Sequence, residues 1–228
     1  AAHRALANNS VSYTEKPDIE TFMREWTALV ESKSGERGIF NREASKKQAE
    51  KYGRRDPNYE FGTNPCSEII LRPYQFCNLT EVVVRATDTY EDLKRKVKVA
   101  TILGTIQSSY TKFPYLRKVW QRNTEEERLL GVSLTGIMDN PLMTAVNSKL
   151  EKTLDDLRNV ALATNHEYAD LLGIPQSAAI TCVKPSGTVS QLVDSASGIH
   201  ARHSPYYIRT VRGDNKDPLT QFMIDQKV

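Results

Sequence analysis

The chain lacks long hydrophobic runs. None of its segments reaches the roughly 18 consecutive apolar residues that a transmembrane helix needs. The first residues, AAHRALANNSVSYTEK, contain no apolar core of the kind found in secretory signal peptides. The sequence therefore predicts a cytoplasmic protein that is neither secreted nor embedded in a membrane.

Cysteine is scarce, and neither sign of charge dominates. Three cysteines, an odd number, do not suit the disulfide framework of a small secreted domain. The net charge of +3 comes from 31 basic and 28 acidic residues that are interspersed along the chain. Because nucleic-acid-binding domains usually carry a concentrated basic patch, we expect no direct binding to nucleic acid.

Internal repeats, low-complexity segments and a clear linker are also absent. The chain does not begin with Met, and it stops just after an apolar stretch, QFMI. We therefore expect residues 1–228 to be one segment of a single domain, cut from a longer chain at both ends.

Periodic patterns predict several helices. Apolar residues recur at helical spacing from Pro17 to Lys33, and a short polar helix is predicted over 41–52. Asp88 with Glu91 resembles a capping box for a helix that ends near Tyr110.

The same signature recurs at Thr124 with Glu127. A long helix is then predicted from Pro141 to Leu172, closed by Gly173. The charged segments RKVKVA and EEER are interpreted as solvated helix faces.

Short β-type runs separate these helices. They are SEIIL, TEVVVR, GVSLTGI, AAITCV at 178–183, and HSPYYIRTVR at 203–212. Short strands that alternate with long helices predict an α/β fold.

The segment GTNPCSEIILRPYQFCNLTEV, residues 62–82, holds two of the three cysteines. Pro65 disfavours a helical conformation at the preceding residue, which predicts an extended segment. Alternate side chains of an extended segment share a face. We therefore expect the amide of Asn64, the thiol of Cys66 and the carboxylate of Glu68 to project together.

These groups suggest chemistry at an S–H bond. A thiol beside a carboxylate stays mostly protonated at neutral pH, and the carboxylate can act as a general base. Cys77 follows a Pro-Tyr turn, so the chain can fold back and bring it to the same pocket. The alternative is two core cysteines on a β-hairpin. Zinc is disfavoured, because three cysteines without a CxxC pair or a nearby His do not fill a tetrahedral site.

A second segment, ITCVKPSGTVSQLV at 180–193, predicts a strand followed by a loop of small residues that opens a helix. Backbone N–H groups at such a junction can bind an anion, although the pattern is not that of a P-loop. The alternative is an ordinary strand-to-helix turn. Cys182 is expected to be a buried structural thiol.

Two other groups of residues are expected to be structural. His200 and His203 lack a carboxylate partner in sequence, and we expect loop packing or solvent exposure rather than metal binding. Tyr206 and Tyr207 are expected to pack in the core or at a sheet edge.

The 62–82 segment strongly resembles the active-site segment of ribonucleotide reductases. Its NPC-x-E core is followed by FCNLTEV, and the two cysteines are eleven residues apart. This pattern is most similar to class II, the adenosylcobalamin-dependent branch, and within it to the monomeric ribonucleoside-triphosphate reductases. One departure is Ser67, where class II chains usually carry Gly. We expect it to be tolerated, because it points away from the shared face.

The resemblance implies a role for each residue of the motif. Cys66 would carry the thiyl radical that abstracts the ribose 3′ hydrogen, and Glu68 would take the 3′-OH proton. Asn64 would hydrogen-bond the ribose hydroxyls. Cys77 would be one of two cysteines that reduce the substrate, and its partner would lie outside this chain.

The loop KPSGTVSQ also resembles the reductase loop that cradles substrate phosphates. The matching positions are Pro185, Ser186, Gly187, Thr188 and Val189. The segment 194–212 is similar to the stretch that follows in class II chains. The resemblance thus covers nearly the whole chain and implies part of a ten-stranded α/β barrel.

The implied function is reduction of ribonucleotides, as triphosphates, to 2′-deoxyribonucleotides for DNA synthesis, with adenosylcobalamin as cofactor and thioredoxin or a similar dithiol as reductant. The alternatives are the large subunit of a class I ribonucleoside-diphosphate reductase and, in a different class, a non-catalytic nucleotide-binding α/β module. The resemblance assigns no cobalamin-binding residue, and we expect the isolated 228-residue chain to be inactive.

Overall fold

The computed structural model describes residues 10–33, 38–210 and 212–227. The strands are β1 Ser10–Tyr13, β2 Gly38–Asn41, β3 Gly62–Thr63, β4 Ile70–Leu71, β5 Asn78–Val83 and β6 Leu130–Thr135. The helices are α1 Ile19–Ser32, α2 Arg42–Glu50, α3 Tyr90–Gln107, α4 Lys118–Glu127, α5 Pro141–Thr144, α6 Ser148–Leu172, α7 Thr188–Leu192 and α8 Pro218–Asp225. These described residues form a mixed α/β fold with small sheets, which confirms the predicted α/β class, while the ten-stranded barrel stays a prediction.

The central sheet carries the segments of interest. Strands β5 and β6 pair in parallel, from Asn78 opposite Leu130 to Val83 opposite Thr135. The segment 178–182 runs beside the other edge of β6, where Thr181 forms a parallel bridge with Val132. The predicted strands at 80–85, 131–137 and 178–183 therefore lie side by side, the last as an extended segment with a single bridge.

Helices α3 and α6 cover one face of this sheet. Apolar side chains from both strands and both helices form a core in which Leu93, Leu130 and Ala161 are fully buried. The other face carries no helix from this pair, and the two cysteine-containing segments approach it.

The helix starts follow local capping chemistry more closely than the predicted patterns. The capping box of α3 is formed by Thr89 and Asp92, one residue after the predicted pair Asp88 and Glu91. Asp88 instead accepts a hydrogen bond from Lys96 Nζ, so the prediction placed the cap on the wrong residue.

The long helix predicted from Pro141 is interrupted. The side chain of Asn147 accepts hydrogen bonds from the backbone of Lys149 and Leu150, and this cap starts α6 separately from the short α5. The predicted end is confirmed, since Gly173 adopts the left-handed conformation after Leu172.

Two further predictions are wrong. Thr124 and Glu127 lie in the last turn of α4 rather than at a helix start, and EEER is not a solvated face, because Glu127 and Arg128 are only 2% and 8% exposed. The segment 203–212 forms no strand at the positions that the structure describes, 203–210 and 212.

The N-terminal unit is a parallel β1–α1–β2 arrangement in which Ser10 pairs with Gly38. The predicted helix is confirmed, with Asp18 as its N-cap and Lys33 in the left-handed conformation at its end. The sequence predicts Gly35 and Gly38 as the end of this helix; Gly35 lies outside the described residues, and Gly38 begins β2. No helix in the described ranges has the length and hydrophobicity to cross a membrane.

Candidate active site

Cys66 lies at the tip of a β-hairpin. Strands β3 and β4 pair antiparallel, and the backbone N–H of Ser67 donates to the carbonyl oxygen of Asn64 at 2.9 Å. This bond closes a turn with Pro65 and Cys66 at its corners, and the Cys66 side chain is exposed. The predicted extended segment is therefore wrong, and with it the derivation of a face shared by Asn64, Cys66 and Glu68.

Both the side chain and the backbone of Asn64 hold the turn closed. Asn64 Oδ1 accepts from the backbone N–H of Ile69 at 3.0 Å, and the Asn64 N–H donates to the Ile69 carbonyl at 3.3 Å. Ser67 has a φ of 63°, in the left-handed region that favours glycine. The constraint at Ser67 is therefore its backbone conformation and not the direction of its side chain.

The hairpin packs onto the sheet at a glycine. A Cβ atom on Gly131 of β6 would lie 2.4 Å from Leu79 Cδ2, 2.9 Å from Ile69 Cδ1 and 3.1 Å from Cys182 Sγ. The missing side chain makes room for the hairpin on the sheet face opposite α3 and α6. The neighbouring Glu68 has its Oε2 atom buried there, without a hydrogen-bond partner.

Cys77 immediately precedes β5, and its pKa is raised, first by burial and then by the negative charge of Glu68. Burial raises the pKa of Cys182 to about 12, with further contributions from Glu68 and Cys77. The structure thus brings together Glu68, Cys77 and Cys182, while Cys66 remains on the exposed turn. All three cysteines are free thiols.

Cys77 and Cys182 are not arranged as a disulfide pair. They lie on segments that flank opposite edges of β6. Two strand spacings separate such segments by about 10 Å, whereas a disulfide requires Cα atoms within about 7 Å. This spacing supports the prediction of a structural role for Cys182, which is half-buried.

A buried ionic network behind the hairpin was not predicted. Arg55 donates to both carboxylate oxygens of Glu127, at 2.9 and 2.8 Å, and to the carbonyl of Ile70 at 2.8 Å. Arg72 lies 2.9 Å from Glu127, and Gln75 Nε2 donates to Glu127 at 2.6 Å. The network therefore fixes the stretch from Ile70 to Gln75, between the two cysteines, to the end of α4. Sequence spacing gave no signal for it, because Glu127 is more than 50 residues from each partner on that segment.

The loop 185–189 lies near the carboxyl end of β6. The Gly198 N–H donates to Thr135 Oγ at 2.8 Å, and a Cβ on Gly198 would lie 2.9 Å from the Lys184 carbonyl. The loop opens a helix, as predicted, since α7 begins at Thr188. Ser186 Oγ is buried without a hydrogen-bond partner. Ligands of α/β sheets commonly bind at this end of the strands.

Two cavities border the site. A cavity of about 320 Å³ is lined by Glu68 and Ile69 together with Arg54 and Arg158, and one of about 390 Å³ is lined by Cys182. Neither is lined by residues 185–189. A single cavity shared by the hairpin and this loop therefore stays a prediction.

The C-terminal aromatic and histidine residues do not join the site. Tyr206 is 91% exposed, so its predicted packing in the core or at a sheet edge is wrong, and the Tyr207 hydroxyl donates to Gln191. His200 and His203 are both exposed, in agreement with the prediction. Within the described ranges, no three His, Cys, Asp or Glu side chains are grouped to hold a metal ion.

Comparisons with known proteins give one consistent result, although no family model matches the chain. The adenosylcobalamin-dependent ribonucleoside-triphosphate reductase of Lacticaseibacillus paracasei is 31% identical over an alignment of 251 positions, gaps included, which covers 95% of this chain and 32% of that protein. A Dictyostelium discoideum protein described as a probable reductase of the same kind is 32% identical over 67% of the chain and 20% of its own length.

A crystal structure of a B12-dependent (class II) ribonucleotide reductase superposes with a TM-score of 0.53 at 26% identity, over 61% of this chain and 22% of that one. The chain is related to the class II ribonucleotide reductases. The resemblance found in the sequence is therefore confirmed, and the chain spans about a third of the length of the curated reductases that it matches.

Proposed function

We propose that the chain is a catalytic-barrel segment of an adenosylcobalamin-dependent ribonucleotide reductase, which converts ribonucleoside triphosphates to 2′-deoxyribonucleotides. The observation that carries the proposal is the approach of the Cys66 hairpin to the sheet face that holds Cys77, with Glu68 between them. In this proposal β5, β6 and the segment 178–182 are neighbouring strands of a ten-stranded barrel completed by the rest of the protein.

Cys66 carries the thiyl radical that removes the 3′ hydrogen of the ribose. Glu68 takes the 3′-OH proton, a role that its unpartnered Oε2 atom fits. The Oδ1 atom of Asn64 holds the turn, which leaves its amide nitrogen to donate to a ribose hydroxyl.

Cys77 supplies hydrogen to the substrate. Its raised pKa keeps the thiol protonated at neutral pH, as a hydrogen donor must be. The C2′–OH bond breaks and the hydroxyl leaves as water. Two electrons and two protons come from Cys77 and a second cysteine outside this chain, which end as a disulfide. Thioredoxin or a similar dithiol then reduces that disulfide.

The loop 185–189 binds the substrate phosphates. Support comes from its place beside the carboxyl end of β6 and from the buried, unpartnered hydroxyl of Ser186. Fixing the phosphates there orients the ribose toward the thiols, and such orientation is a large part of catalysis.

Adenosylcobalamin, when bound, supplies the radical that converts the Cys66 thiol to a thiyl radical. The exposure of Cys66 fits access by a large cofactor. We assign no described residue to holding it.

The test is Cys66→Ser in the full-length protein. We expect this variant to lose ribonucleotide reduction while nucleotide binding persists, and the Cys182→Ala control to retain both. Turnover by Cys66→Ser would refute the radical role of this thiol. Nucleotide binding without any reduction by the wild-type protein would favour a non-catalytic nucleotide-binding module. Reduction that needs a second radical-generating subunit instead of adenosylcobalamin would identify class I.

A further inference from the structure

An ion pair on the face of the central sheet opposite α3 and α6 has no role in the mechanism above. The contacts around Gly131 place Leu79 and Cys182 on one face. Alternate side chains of an extended segment share a face. Glu81, two residues after Leu79, and Lys184, two residues after Cys182, therefore lie on this face as well. Glu81 lies opposite Ser133 in the β5–β6 register, and this small residue lets the longer side chains meet over it.

The pair is loosely closed and largely buried. Lys184 Nζ lies 3.7 Å from Glu81 Oε2, longer than a hydrogen bond, and the two side chains are 20% and 11% exposed. Glu81 Oε1 is buried without a hydrogen-bond partner. Because a buried carboxylate oxygen without a donor is costly, this atom has an unfilled capacity to accept a hydrogen bond.

The position of the pair connects the two halves of the proposed site. Cys77 lies two positions before Leu79 at the start of β5, and the loop 185–189 directly follows Lys184. A nucleotide whose phosphates bind the loop and whose ribose reaches toward Cys77 must therefore pass Glu81.

We propose that Glu81 is a substrate-contacting residue, which accepts a hydrogen bond from a hydroxyl or amino group of the bound ribonucleotide. Lys184 is its positioning residue, whose ammonium group orients the Glu81 carboxylate from 3.7 Å. This inference rests on the proposed function and adds to it a contact for the nucleoside part of the substrate.

The test is Glu81→Gln in the full-length protein, with the KM and kcat of ribonucleoside-triphosphate reduction as readouts. Losing a charge-assisted hydrogen bond should raise KM about 10-fold. Inhibition by inorganic tripolyphosphate, which has phosphates but no nucleoside, should be unchanged. Lys184→Met should raise KM in the same direction, which gives an independent test if Glu81→Gln fails to fold.

A matched control is Glu167→Gln, whose partner Lys98 lies at the same 3.7 Å but whose pair is about half exposed. We expect its KM to match the wild type. A wild-type KM in both Glu81→Gln and Lys184→Met would overturn the inference. Weaker inhibition by tripolyphosphate would overturn it too, since the pair would then act on the phosphates or the fold. Absence of reduction by the wild-type protein would refute the proposed function itself.

Discussion

The three thiols lie in two contrasting environments. One is the exposed turn that carries Cys66, and the other is the sheet face that carries Cys77 and Cys182. Cys66 is exposed on a turn with a positive φ at the next residue. Cys77 and Cys182 are half-buried, and burial raises both of their pKa values. Glu68 joins the two regions, because it directly follows the turn and its negative charge raises the pKa of both half-buried thiols.

The contrast matches the roles proposed for the thiols. A radical carrier must be reached by its oxidant, and Cys66 is open. A hydrogen donor must stay protonated, and burial keeps Cys77 so. Each prediction below perturbs one side of this comparison.

The largest expected effect is on thiol alkylation by iodoacetamide. The thiolate is the reacting species, and a rise from 9.0 to about 12 in the pKa of Cys182 lowers its thiolate fraction at pH 8 about 1,000-fold. Cys66 should therefore be labelled first, and the labelling rate of Cys182 should increase with pH toward 12. Mass spectrometry of the labelled peptides measures both.

The same labelling in urea provides the control, because unfolding should bring the three rates together. Labelling of Cys182 as fast as Cys66 in the folded protein would remove the contrast between the two environments.

The next largest effect is expected from Glu127→Ala. Removing this carboxylate leaves Arg55 and Arg72 buried without their main partner, and breaking a buried ion pair costs about 3–5 kcal/mol. The control is Glu126→Ala, whose side chain is 48% exposed and should contribute below about 1 kcal/mol. Urea unfolding measures both, and equal losses would show that the network does not anchor the segment.

The sequence was sufficient for elements that depend on local pattern. The apolar period predicted α1, and the β-type runs predicted β5 and β6. Sequence patterns gave wrong predictions where a tertiary contact decides whether a residue is buried or exposed. EEER looks solvated, yet Glu127 is buried because Arg55, Arg72 and Gln75, distant in sequence, fold against it.

A smaller loss is expected from Gly131→Ala. The added methyl group would lie 2.4 Å from Leu79 and 2.9 Å from Ile69, so the hairpin must shift away from β6. Overpacking of this kind costs about 1–3 kcal/mol. Gly62→Ala is the control, since a Cβ there meets nothing within 4 Å. Unchanged stability and unchanged Cys77 labelling in Gly131→Ala would show that the hairpin does not depend on this contact.

The candidate site was predictable in its residues but not in its geometry. The NPC-x-E motif identified Asn64, Cys66 and Glu68, whereas alternation along an extended strand gave the wrong arrangement. The turn is closed by a hydrogen bond from the Ser67 N–H to the Asn64 carbonyl, and hydrophobic periodicity in the sequence does not predict such a bond. The sequence also did not predict that Gly131 makes room for the hairpin, because this contact depends on the position of the Ile69 side chain in the folded protein.

The smallest effect is expected from Ser67→Gly, which tests whether the Cys66 turn is strained. A residue other than glycine with a φ of 63° pays a conformational penalty, so glycine should stabilise the protein by up to about 1 kcal/mol. Ser67→Ala separates this effect from loss of the 3.3 Å contact between the Ser67 and Thr63 hydroxyls, because alanine keeps the strain and removes the contact. If both variants change the free energy of unfolding equally, the hydroxyl contact and not the backbone decides the stability of the turn.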